Sequence, residues 1–102
     1  MTRHAVLRWL AARRPEPPPL LRPHLEAALA DSAAPLPEQL ARSALGRLEQ
    51  VAGGPARGRD VAMALLAADA LVTYAFEAQA EQDVDGLAGL AERVAKGWGT
   101  TA

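Results

Sequence analysis

The sequence predicts an all-α fold, a small bundle of about five helices around a central apolar helix at about residues 60–81. Three observations lead there. No segment alternates apolar and polar residues with the period of two that a half-buried strand requires. Apolar residues recur instead at spacings of three and four along successive stretches. Proline- or glycine-bearing breaks separate those stretches, at PEPPP (15–19), SAAPLP (32–37), GGPARG (53–58) and DVDG (83–86).

Each element has its own justification. Thr2 is a suitable cap for a first helix from about Arg3 to Arg13, with Val6, Trp9, Leu10 and Arg13 on one face, and Pro15 ends it. PEPPP lacks the amide donors of a helix and favours an extended, stiff spacer. Pro23 suits the first turn of a short second helix to about Ala30, facing inward with Leu25, Ala28 and Leu29. Pro37 starts a third helix to about Val51, striped by Leu40, Ala44, Leu48 and Val51, with Leu36 placed to staple its start. Asp60 caps the fourth helix or sits in its first turn. Asp83 or Asp85 caps a fifth, running to about Lys96 with a stripe of Leu87, Leu90, Ala91 and Val94 and a stop at Gly97.

At 102 residues the chain is one domain with room for a single modest core. Residues 1–22, a basic helix and its spacer, can lie at the periphery, and 98–102 read as a flexible tail. Half the residues are hydrophobic but only 4 % are aromatic, so the core relies on Leu, Val and Ala. Alanine forms helices readily and buries little area, which limits tertiary stabilisation at roughly 25 cal/mol per Å². The absence of cysteine excludes a disulfide framework, a thiolate zinc site and a cysteine nucleophile.

Net charge is −1, yet residues 1–59 carry nine Arg against five acids, and residues 60–102 carry seven acids against Arg93 and Lys96. The two halves either face each other, within the fold or across a dimer, or present a basic face to an anionic partner.

The stretch Val61–Phe76 holds a single charge, Asp69, in sixteen residues. As a helix it is about 24 Å long, shorter than the roughly 20 residues that cross a bilayer core, so a soluble, cytoplasmic protein is expected. On a helical wheel Val61, Leu65, Val72 and Phe76 share a sector of roughly 60°, expected to be the best-packed face, with Asp69 at its edge. Met63, Ala70, Leu71 and Tyr74 occupy the opposite side, so the helix should be covered on most sides. A buried Asp69 needs a partner, and Thr73 and an arginine of the third helix, Arg42 or Arg47, are the candidates. Alternatively Asp69, Thr73 and Glu77 line a groove for a cationic or metal-bridged ligand. Asp69 and Glu77 lie about 12 Å apart along the axis, too far to share a metal unaided.

The words LLAADALVTYAFE, Leu65 to Glu77, resemble one helix of the trans-prenyl diphosphate synthases, with Asp69, Ala70, Leu71, Ala75, Phe76 and Glu77 matching and Ala68 where that family has glycine. The resemblance covers thirteen residues. It implies a non-catalytic or accessory isoprenoid-synthase-like protein, because the aspartate-rich DDxxD motifs that hold magnesium in those enzymes are missing and Asp83-Val-Asp85 has the wrong spacing. No catalytic residue is carried over.

His4 and His24 lack helical metal partners, GGPARG lacks the spacing of a phosphate-binding loop, and Ser32 and Ser43 lack a nucleophile context. No cofactor or metal is expected, and no catalysis. The leading expectation is protein–protein interaction or self-association, as a homodimer, through Leu65, Val72, Phe76, Leu87, Leu90 and Val94. Besides the isoprenoid-synthase-like reading, the basic arm Arg3, Arg8, Arg13 and Arg14, which flanks Trp9, offers a further alternative, a binder of an anionic surface, membrane or nucleic acid. Of these two, nucleic acid is the less expected, given few aromatics and an acidic second half.

Overall fold

A computed structural model describes residues 1–54 and 58–97 of the chain. Over these residues the fold is all-helical: α1 (Arg3–Ala11), α2 (Arg22–Ala28), α3 (Leu36–Gly53), α4 (Arg59–Gln82) and α5 (Leu87–Ala95), with one 3-10 turn at Val84–Gly86. The expected tail, 98–102, and the centre of the GGPARG loop, 55–57, lie outside the described residues.

The breaks act where proline and glycine place them. Thr2 is extended and its hydroxyl accepts the N–H of Ala5 at 3.1 Å, capping α1. That helix ends at Ala11, two residues short of the expected Arg13, because the proline at 15 keeps the chain before it out of helical geometry. Pro23 and Pro37 both sit in first turns. Leu36 is itself the first residue of α3 and is buried, so it anchors that helix from inside rather than as a preceding staple. Gly58 stands before α4 at φ +75° and Gly97 follows α5 at φ +76°, left-handed positions that suit glycine. Asp60 is the first-turn acid of α4, and Asp83 caps the 3-10 turn by accepting the N–H of Asp85 at 3.1 Å.

One core joins all five helices. Val6 and Leu10 from α1, Leu25 from α2, Leu40, Ala41 and Ala44 from α3, Ala67, Ala68, Leu71, Ala75 and Ala78 from α4 and Leu90 from α5 form one buried cluster. Segment 1–22 is therefore not peripheral: α1 contributes two core residues, and Pro17 of the spacer is buried too. The most extensive pairing is between α3 and α4, and α4 also meets α2 and α5, which makes it the central element.

A polar node ties the first residues to this core. Gln39, buried in α3, donates from Nε2 to the carbonyls of Met1 (2.8 Å) and Ala30 (3.0 Å) and accepts from the Met1 amine at 3.1 Å. Both of its N–H donors and its carbonyl oxygen are engaged by backbone and amine groups, so its burial leaves no polar atom unpaired.

The molecule measures 39 × 35 × 21 Å. Its short dimension is about two helix diameters, so every helix in such a slab keeps one side near solvent. The expectation that α4 is covered on most sides is thereby corrected.

The orientation of α4 gives a direct expectation. Leu71→Ala, at a fully buried site, lowers stability by about 2–5 kcal/mol. Leu66→Ala, at a site 55 % exposed, changes it by about 0.5 kcal/mol or less. Urea denaturation of the two variants measures both.

Candidate functional site

The residues that α4 buries are Ala64, Ala67, Ala68, Leu71, Ala75 and Ala78, one face at helical spacing and nearly all alanine. On the far side Arg59, Ala62, Leu65, Leu66, Asp69, Thr73, Glu77 and Ala80 are exposed. The face expected to pack best, Val61, Leu65, Val72 and Phe76, is a flank between the two: Val61, Val72 and Phe76 are half-buried and Leu65 is 45 % exposed. The cause is steric. Alanine faces let helix axes approach, and long side chains at that contact would force them apart.

This geometry divides the expected interaction surface. Leu90 belongs to the core and is fully buried, so it is withdrawn from that surface. Val72, Phe76 and Val94 pack partly against the core and Leu87 is half-buried. Leu65 is open. Sequence reasoning passed over Leu66, which at 55 % exposure is the most open leucine of α4, because its wheel position lies among Thr73 and Glu77 and away from the apolar sector. Leu48, expected inside the α3 stripe, is 37 % exposed near the end of that helix.

Asp69 is exposed, and its carboxylate has no hydrogen bond or ion pair among the described residues. The expected partner arginines are engaged elsewhere: Arg42 Nε is 2.9 Å from Glu38 Oε2, and Arg47 Nη1 donates to Gln50 Oε1 at 3.0 Å. Thr73 donates its hydroxyl to the Asp69 backbone carbonyl at 3.1 Å, not to the carboxylate. Glu77 lies 3.7 Å from Arg13 Nη1. The three form a polar strip on an open face, and among the described residues no cluster of three or more acids, histidines or cysteines could hold a metal.

Along the other flank of α4, Arg13 joins the basic and acidic halves of the chain. Its Nη1 is 2.7 Å from Glu81 Oε2, and its guanidinium stacks 4.0 Å from the Trp9 ring centroid. Trp9 in turn meets Tyr74 edge to face at 6.3 Å. Burial, and secondarily the Glu77 carboxylate, push the Tyr74 hydroxyl above its ordinary 10.0, against an opposing pull from Arg13. The rest of the basic arm is largely spoken for. Arg3 donates from Nε and Nη2 to the Glu26 carbonyl and Arg14 donates to the carbonyls of Ala11 and Arg13, which leaves Arg8.

A cavity of about 250 Å³ lies between α1, the proline segment and α2, with Leu7, Leu10 and Leu25 against His4, Arg8 and Glu26. It is smaller than the roughly 300–1,000 Å³ of ordinary ligand pockets. A second hollow of about 190 Å³, bounded by Arg13, Arg14, Ala70, Thr73 and Glu77, opens beside the outer face of α4. With 24 residues, α4 is also long and apolar enough to cross a membrane, a test that a core helix passes as well. The length argument made from the sixteen-residue run therefore does not hold for the helix as it forms.

No known protein family, characterised protein or solved structure matches the chain. The likeness to prenyl diphosphate synthases rests on Leu65–Glu77 alone, and here Asp69 of that segment faces solvent.

Tyr74 is the chain's single tyrosine, so its ionisation can be followed by ultraviolet absorbance. The midpoint is expected above 10.0 in the folded protein and near the ordinary value in denaturant. Because the unfolded tyrosine releases its proton first, stability falls as pH rises above about 10.

Proposed function

We propose that this protein works without catalysis, by associating with a protein surface through the outer face of α4. The observation that carries the reading is the inversion of that helix: alanines face the core while Leu65 and Leu66 stand in solvent at 45 % and 55 % exposure around an unpartnered carboxylate. Scattered exposed leucines are ordinary on a protein surface. Leu65 adjoins half-buried Val61, Val72 and Phe76 as an apolar strip, and Leu66 lies across Asp69 and Thr73 on the same outer face, the kind of surface through which helices dock. The alanine-built core adds a reason, since covering this strip supplies apolar burial that the monomer lacks.

The other readings have weaker support. An isoprenoid-type ligand site would place Asp69 in a pocket, and Asp69 lines neither of the two hollows described above. An anionic-surface arm would need its arginines directed outward, and Arg3, Arg13 and Arg14 are held by partners within the chain.

The test is Leu66→Glu, which should leave helicity and unfolding midpoint nearly unchanged at an exposed site. It should abolish association, read as loss of concentration-dependent sedimentation or of capture of a partner by the wild-type chain. Association that persists at wild-type strength in Leu66→Glu and in Leu65→Glu contradicts the reading.

A further inference from the structure

The outer face of α4 has a repeat that selects a partner. Arg59, Ala62, Leu66, Asp69, Thr73 and Phe76 follow one another at alternating spacings of three and four, and Ala80 and Asp83 continue the series. These positions form one line along the side of α4 opposite the buried alanines, with the spacing of a coiled-coil seam and with Leu66 and Phe76 as its large apolar members. All of its members are exposed except Phe76, which is half-buried.

We propose that the seam is an antiparallel self-docking surface: α4 of one chain lies against α4 of a second copy, with the two-fold axis at the level of Leu71. The inference rests on the association reading above and names the partner.

The argument is complementarity in one register. With the axis there, Asp69 faces Thr73 of the second copy, Leu66 faces Phe76, Ala62 faces Ala80 and Arg59 faces Asp83, and each pairing occurs twice by symmetry. The Asp69 carboxylate, unpartnered in the single chain, is set against a neutral polar side chain instead of a second carboxylate. Arg59 has no ion pair among the described residues and sits at the positive end of its helix dipole, while Asp83 sits at the negative end of the same helix. Arg59 is thus badly placed in the monomer, whereas Asp83 also caps the turn that follows, and the antiparallel pair sets the two opposite charges against each other. A parallel pair in register does the reverse, stacking Asp69 on Asp69, Arg59 on Arg59 and Asp83 on Asp83.

The extent a dimer needs sets the alignment. A stable dimer buries about 800 Å² per partner. Two helices that touch only where they cross fall well short of that area, whereas alignment along the full length of α4, about 36 Å for its 24 residues, brings every layer of the seam and its Leu65 and Val72 flank into contact. The polar Asp69–Thr73 layers at the centre then fix register, as single polar layers do in coiled coils.

The chain has no cysteine, so engineered thiols report the register without background. Ala62→Cys and Ala80→Cys change exposed alanines and leave the core untouched. In an equimolar mixture of the two single variants under mild oxidation, the Ala62–Ala80 position pair should give most of the cross-linked product, because only that pair brings α-carbons within the roughly 7 Å a disulfide allows. Arg59→Asp should weaken the dimer about tenfold in sedimentation equilibrium, and Arg59→Asp with Asp83→Arg should restore it. Cross-linked product no richer in the 62–80 pair than in the 62–62 or 80–80 pairs overturns the proposal, as does a dimer indifferent to both charge variants. A chain that stays monomeric at high micromolar concentration also overturns it. If that monomer still captures a different protein in a Leu66-dependent way, the association reading stands and only the second copy is rejected as its partner.

Discussion

Close contact between α3 and α4 is the constraint on which the rest of the structure depends. It is the most extensive pairing among the described residues, and the side chains that α4 buries are nearly all alanine, while α3 buries Ala41 and Ala44 beside Leu36 and Leu40. Alanine permits a short distance between axes and many dispersion contacts, at the cost of little apolar area per residue. Once α4 turns its small residues inward, the helical period fixes where its large ones go. Leu65 and Leu66 turn outward, Val72 and Phe76 line a flank, and Asp69 reaches solvent in no need of a partner from α3.

The remaining elements close around that pair. Leu25 and Leu29 cover it from the α2 side, Val6 and Leu10 bring in α1, and Leu90 brings in α5. Gln39 binds the first residues to the start of α3 through fully satisfied hydrogen bonds, while Arg13 clamps the end of α1 to α4 through Trp9, Glu77 and Glu81. The Arg13 clamp runs along one flank of α4 and leaves Leu65, Leu66 and Asp69 exposed.

Much of the fold was legible in the sequence, because helix existence depends on local signals. Pro23 and Pro37 open helices in their first turns, Thr2 caps α1, and the stripes Leu25/Leu29 and Leu40/Ala44 are buried as their spacing predicts. The face of α4 was not legible, for a specific reason. Ranking positions by side-chain size selects Val61, Leu65, Val72 and Phe76, yet proximity to α3 selects the smallest side chains, and which face is small matters only once a neighbouring helix is known. The same effect misplaced Leu48 and predicted an arginine partner for a carboxylate that is not buried. A usable signal was present: Ala64, Ala67, Ala68, Ala75 and Ala78 make an uninterrupted alanine stripe around Leu71.

An inverted α4 with an open, self-complementary outer face can be tested at the leucine side chains themselves. Nuclear magnetic resonance of leucine methyl groups with a soluble paramagnetic probe, recorded across a dilution series, reads solvent access at each position. The account predicts that at high dilution the Leu65 and Leu66 methyls are strongly broadened while those of Leu71 and Leu90 are spared, and that rising protein concentration protects Leu66 selectively. Protection of Leu66 at every dilution, or broadening of Leu71 equal to that of Leu66, would contradict it.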